Sequence, residues 1–203
     1  MSNPALTPRR TPQQERGERR LSQLLEAAAS MMAEVGYDAS TMTGIAERAN
    51  ASIGTLYQYF PDKEAIVRAL RRQYVDEFEV CWVPLRAQAS KLNLRQLVDR
   101  FFDILIEYFE KRPAYFPVLN APGNFKRDPT ARNRLRGHFV ALFREKRPDM
   151  TPEVALRVAN VTVQVFKAMH LLYAEAKGAE KEEIVQEFKL LLLSYLSSRL
   201  KSG

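Results

Sequence analysis

Residues 41–64 read TMTGIAERANASIGTLYQYFPDKE. Thr41 is a residue type that caps helices, and Ile45, Ala46 and Ala49 then form an apolar stripe with the i, i+1, i+4 spacing of a helix. Asn50-Ala51-Ser52 is polar and long enough for one tight turn. Asn50 tolerates the left-handed conformation that ends a helix, and Ser52 caps the next one. The spacing predicts a second helix over about Ile53 to Tyr59, with Ile53, Leu56 and Phe60 as apolar anchors. Two turns are not stable alone, so neighbours must hold this helix. Pro61 stops it, and Asp62 caps a further helix with Glu64 in its acidic first turn. A short helix, a tight turn and a second short helix make the pattern of a helix-turn-helix, which lays its second helix in the major groove of DNA.

With the inward spacing taken, Gly54, Thr55, Tyr57, Gln58 and Tyr59 are left for other faces of the second helix. Neither Arg nor Asn stands at positions 53–59. Direct readout therefore rests on Thr55, Gln58 and the apolar Ile53, which suits a thymine methyl. Thr43 reaches base edges or phosphates, and the Thr41 hydroxyl serves either as a cap or as a phosphate contact. Tyr57 and Tyr59 are two apart and face different ways. At least one of their hydroxyls is expected on a phosphate, against the plainer reading that both rings pack under the helix. Gly54 carries a helix-propensity cost of about 1 kcal/mol. It either lets the backbone approach DNA closely or is a neutral surface position. Lys63 sits in the first turn of its helix, where a cation opposes the dipole and an external phosphate would reverse the argument. The expected DNA-contacting set is Thr41, Thr43, Ser52, Ile53, Gly54, Thr55, Tyr57, Gln58, Tyr59 and Lys63.

The string TGIAERANASIGTLYQYFPDKEAI resembles the DNA-binding domain of the TetR (tetracycline-repressor-like) family of bacterial transcription regulators. Thr55-Leu56-Tyr57, then Tyr59-Phe60 and Lys63-Glu64, carry most of the likeness, which starts near Arg20 and fades after about Tyr74. The resemblance implies an all-α fold and a phosphate contact for Lys63. It also implies a homodimer built as a four-helix bundle from the last two helices, and an inducer cavity among helices four to eight.

Composition agrees with a helical globular chain. Of 203 residues, 46% are hydrophobic and 27% charged, and glycine is scarce at 8. The net charge of +7 suits a polyanionic partner. Its distribution is uneven: residues 1–75 hold 10 Lys/Arg against 8 Asp/Glu, and residues 86–147 hold 14 against 6. One cysteine, Cys81, excludes an intrachain disulfide and fits a reducing cytoplasm. No signal peptide and no membrane-length apolar run is present, so a cytoplasmic location is expected. His138 and His170, the two histidines, have no carboxylate or thiol at ligand spacing. No nucleophile elbow or phosphate loop occurs, so neither a metal, a cofactor nor catalysis is expected.

Along the chain, residues 1–17 read as a disordered arm. Its arginines suit a minor groove or simply solvent. Residues 18–80 form the DNA-binding domain, with a first helix over about 18–35 ended by Gly36. The helix from Asp62 is expected to end near Val80, with Trp82 and Pro84 marking a break. Residues 81–203 form a larger ligand-binding and dimerisation domain of further helices, about nine in all. These run over 93–110, a short one opened by Pro113, one from Asp128-Pro129 to 146 after a loop at 120–126, then 151–178 and 180–200. The last two are apolar around most of their girth, which requires burial on two faces and makes a second copy of the chain the simple partner.

Aromatic residues at helical spacing are usually core, yet they fall in the domain that the resemblance gives an inducer cavity. Expected lining residues are Phe78, Trp82, Phe102, Leu105, Phe109, Phe116, Phe139, Phe143, Phe166 and His170. Arg127, Arg132, Arg134 and Arg136 suggest a basic rim for an anionic ligand, although charges on different helix faces are more often solvated. The sequence thus predicts a homodimeric regulator, a repressor of a palindromic double-stranded DNA operator, released or engaged by a small-molecule inducer or corepressor. Two alternatives stand beside it. One is a ligand-independent DNA-bound regulator working through a protein partner; the other is a helical carrier or enzyme with a vestigial helix-turn-helix.

Overall fold

The computed structural model describes residues 12–122 and 129–200. Among them are nine α-helices, one 3-10 turn and no strand. The chain divides into two compact units, residues up to 72 with 113–123, and residues 73–112 with those from 124 onward.

The first unit holds α1 (Pro12–Ala39), α2 (Met42–Arg48), α3 (Ile53–Tyr59), the start of α4 (Lys63–Gln88) and α6 (Tyr115–Asn120). Residues 12–17, expected in a disordered arm, belong to α1. Pro12 suits a first turn, and Glu15 complements the dipole there. Residues 1–11 lie outside the described part. Gly36 interrupts α1 as expected, with φ 77° and ψ 174°, a backbone shape that side chains resist. Leu24, Leu25, Ala28 and Met32 on α1 are buried, as are Ile45, Ala46, Leu56, Phe60, Ile66, Val67 and Leu70, and α2 packs on both α1 and α3.

The second unit holds the rest of α4, a 3-10 turn (Ala89–Lys91), α5 (Leu94–Lys111), α7 (Pro129–Lys146), α8 (Pro152–Glu175) and α9 (Glu180–Leu200). Asn93 begins α5 with a reciprocal capping box to Gln96, and Thr151 caps α8 with Pro152 just inside. Helix α5 turns Leu97, Val98, Phe101, Phe102, Leu105 and Phe109 inward. Helix α7 packs on α8, and α9 on both α8 and α5.

Two boundary expectations are corrected. Helix α4 does not break at Trp82 or Pro84 but runs through to Gln88. Pro84 is exposed, and the carbonyl it leaves without an N–H belongs to Val80, itself 68% exposed, on the side of the helix that solvent reaches. Buried Trp82 and Leu85 hold the opposite side. The division into units falls within α4 between Arg72 and Gln73, not at 80/81, and α6 joins the first unit. The reason is visible at Arg71, whose guanidinium donates to the carbonyls of Val118, Leu119 and Ala121, each at 2.9 Å. These are end carbonyls of a helix too short to stand alone. No described helix is long and apolar enough to cross a membrane.

Candidate DNA-reading surface

The helix-turn-helix is built by local capping as its residue types dictate. Thr41 Oγ1 accepts the Gly44 N–H at 3.1 Å and starts α2. Asn50 takes φ 47° in the turn. Ser52 Oγ accepts the Thr55 N–H at 3.0 Å and starts α3, and the two hydroxyls pair at 2.8 Å. Asp62 accepts from the Ala65 N–H at 2.6 Å and starts α4. Each cap contributes about 1 kcal/mol. A hydroxyl that accepts in a cap keeps its proton, so Thr41 can cap and still donate outward.

Around α3, Leu56 is completely buried and Phe60 nearly so, while Ser52, Ile53, Gly54, Tyr57, Gln58 and Tyr59 are exposed and Thr55 is half-buried. Ile53, expected to anchor the helix inward, is 41% exposed. Leu56 and Phe60 fill the inward side, and the first turn carries Ile53 out to solvent. A Cβ added at Gly54 would meet only Ser52 Oγ at 3.8 Å, so packing within the protein does not require glycine there. Thr41 and Thr43 are exposed at the start of α2. Nine of the ten expected DNA contacts thus lie at the starts of α2 and α3 or along α3.

Lys63 is placed differently. Its ammonium donates to the carbonyls of Tyr37 at 2.7 Å, Ser40 at 2.8 Å and Asp38 at 3.4 Å, and lies 4.1 Å from the Tyr37 ring centroid. It therefore closes the C-terminal end of α1. Two further cations do similar work. Arg20 donates to the carbonyls of Ala49 at 3.4 Å and Asn50 at 3.1 Å, fastening the turn between α2 and α3 to α1. Arg48 holds Glu34 with two bonds of 2.6 Å and keeps that carboxyl below the usual range. Sequence reading assigned none of these roles: the carbonyl partners of Lys63 and Arg20 lie 23–30 residues away and carry no side-chain signal, and Glu34 lies 14 residues from Arg48.

In the second unit the expected pocket aromatics converge. Trp82 meets Phe78, Phe139 and Phe166 with centroids 5.4, 5.1 and 5.9 Å apart, Phe166 meets Phe102, and Phe139 meets Phe143. Phe101, missing from the expected set, sits among them at 5.3 Å from Phe139. Phe109 neighbours His170 at 6.0 Å and Tyr173 at 5.7 Å, and Leu105 is buried on the same helix. These rings touch one another as a packed core does. Phe116 lies on α6 in the first unit, against Tyr115. Arg134 of the supposed basic rim is tied to Glu79 at 2.6 Å and Asp76 at 3.0 Å on the surface, and Arg127 lies outside the described residues. His138 faces Glu79 at 3.4 Å, and burial pushes the Cys81 thiol up.

On α8 and α9, Val161, Leu171, Leu172, Leu190 and Leu191 are between 40% and 59% exposed. A groove of about 400 Å³ is lined by Asn160, Val161, Gln164, Val165, Ala168, Phe188 and Leu191, none of them charged.

Comparison with known proteins matches this architecture in both units. The family profile described as bacterial regulatory proteins, tetR family, matches residues 24–70, and that of the tetracyclin repressor-like C-terminal domain matches residues 93–196. The transcriptional repressor KstR of Rhodococcus jostii is 41% identical over 56 residues, 27% of this chain and 26% of that protein. The transcriptional regulator BetI of Burkholderia mallei is 33% identical over 89 residues, 42% of this chain and 46% of that protein. The chain thus spans less than half the length of these curated relatives. A TetR-family regulator from Streptomyces coelicolor shares the fold at a TM-score of 0.65 and 23% identity, over 90% of this chain and 99% of that one. PfmR from Thermus thermophilus does so at 0.61 and 19%, over 84% and 97%. With its C-terminal profile alone covering half of the sequence and its N-terminal one covering the helix-turn-helix, the chain belongs to the TetR family of DNA-binding transcription regulators.

Proposed function

We propose that the protein is a repressor that binds a palindromic operator as a homodimer and leaves it when a small molecule occupies the second unit. The observation that carries the DNA-binding part is the outward face of α3. Gly54, Tyr57 and Gln58 stand exposed on a helix otherwise fixed by Leu56, Phe60 and the Ser52 cap. Thr41, Thr43, Ser52, Thr55 and Tyr59 flank that face with hydroxyls suited to phosphates. The dimer is supported by the uncharged groove and exposed leucines of α8 and α9, a self-complementary surface that two copies bury together. The ligand part rests on the aromatic cluster around Trp82, and α4, which supplies residues to both units, is the continuous element along which it would act.

The close packing of those rings supports a second reading, a regulator that needs no ligand and acts through a protein partner while bound to DNA. Two measurements separate the readings. Titration of a duplex pool at rising salt tests DNA binding, whose affinity must fall linearly on a log–log plot. A thermal-shift screen of small aromatic and amphipathic compounds tests the ligand, because saturation at 100 times the dissociation constant stabilises by about 2.7 kcal/mol. A compound that raises the melting temperature and releases DNA supports the inducible repressor. Salt-dependent DNA binding that no stabilising compound reverses supports the ligand-independent one.

A further inference from the structure

The base-reading inventory of α3 is unusually restricted. At about 100° per residue, Gly54 and Gln58 lie opposite the buried Leu56, with Ile53 and Tyr57 to one side and Thr55 to the other. The Thr55 hydroxyl is already paired with Ser52. The Gln58 amide is exposed, and nothing among the described residues donates to it or accepts from it. Ile53 is exposed, and a Cβ at Gly54 would meet only Ser52 Oγ at 3.8 Å. The helix IGTLYQY carries no Arg, Lys, Asp or Glu. The nearest arginine and lysine partners of the motif, Arg20, Arg48 and Lys63, are held by carbonyls of the fold or by Glu34.

In the major groove each base calls for a different side chain. Guanine O6 and N7 are read by Arg or Lys, and the cytosine amino group by a carboxylate. Adenine N6 and N7 are read by the amide of Asn or Gln, and the thymine methyl by an apolar contact. Helix α3 has one adenine reader and one methyl reader, and no guanine or cytosine reader. We propose that α3 reads A·T pairs. Gln58 Nε2–H donates to adenine N7 while its Oε1 accepts from N6–H. Ile53 packs on a thymine methyl, and the missing side chain at Gly54 lets the helix settle deep enough for both. The inference rests on the DNA-binding reading above and adds the class of sequence recognised.

The test begins with the full chain and duplexes selected from a random pool, and then changes single atoms of the DNA. 7-Deazaadenine removes N7 without altering pairing, and uracil removes the thymine methyl. We expect one adenine per half-site at which 7-deazaadenine weakens the unmodified protein about 5- to 150-fold. Gln58→Ala should bind both duplexes equally. A neighbouring thymine should behave likewise with uracil and Ile53→Ala. Both side chains are exposed, so the variants should melt with the parent. Selected half-sites fixed by guanine or cytosine under α3 would overturn the proposal. So would N7 and methyl deletions whose effects persist in the two variants. A chain that retains no duplex fails the DNA-binding reading first, and this inference falls with it.

Discussion

The ammonium of Lys63 donates to the carbonyl oxygen of Tyr37 at 2.7 Å, joining the first residue of α4 to the end of α1. An ammonium has three protons, and Tyr37, Ser40 and Asp38 offer three carbonyls. In this arrangement Lys63 positions the helix-turn-helix. Lys63→Met should lower stability by about 1–2 kcal/mol, since charge-assisted bonds to helix-end carbonyls are lost. Chemical denaturation would read this directly. Unchanged stability, together with a salt slope of DNA binding reduced by about one ion, would place the ammonium on a phosphate instead.

Gly54 separates folding from binding. Alanine there meets nothing closer than 3.8 Å and gains helix propensity, so Gly54→Ala should stabilise the protein by up to about 1 kcal/mol. The same methyl should weaken operator binding if the α3 backbone approaches the groove. Paired melting and DNA titration measure both. Equal affinity in the two proteins would move the close approach away from residue 54.

Adjacent leucines on α9 should behave oppositely. Leu191 is 51% exposed and lines the groove with α8, whereas Leu192 is fully buried. Leu191→Glu should yield a folded monomer, visible by sedimentation, with a melting temperature that no longer depends on protein concentration. Leu192→Glu should cost about 3 kcal/mol or more of core stability whatever the oligomeric state. A parent chain that sediments as a monomer at micromolar concentration would show that α8 and α9 do not form a dimer interface.

Arg71 should hold α6 in place. Its three bonds to Val118, Leu119 and Ala121 satisfy end carbonyls of a six-residue helix. Arg71→Met should raise amide exchange across Tyr115–Asn120 by tenfold or more while leaving α5 protected. Arg71→Lys should rescue this poorly, because a point charge cannot span several carbonyls as the planar fork does. Exchange unaltered in α6 would show that its packing on α1 suffices.

The helix-turn-helix was legible because its signals are local. Thr41, Asn50, Ser52 and Asp62 each act on a neighbour within a few residues, and their caps appear where the residue types place them. Long-range and solvent-dependent features were not legible. Nothing near Lys63, Arg20 or Arg71 in sequence announces carbonyl partners more than twenty residues away. Pro84 signals a helix break, and only the exposure of Val80 explains why α4 continues past it. Phe116 stands between larger-domain helices in sequence, yet Arg71 keeps its helix with the first unit. Hydrophobic periodicity placed Leu56 and Phe60 correctly but put Ile53 on the wrong side, because three apolar residues at helical spacing do not say which turn projects past the core.

Two copies of α3 are proposed to read one duplex. Sequencing the duplexes that the full chain retains from a random pool tests it most directly. The retained duplexes should carry enriched inverted repeats whose half-site centres lie about one helical turn, or a whole multiple of one, apart. Retention should fall steeply with salt and be weakened by Gly54→Ala. Retained duplexes with a single unpaired half-site, or with no enriched sequence at all, would contradict it.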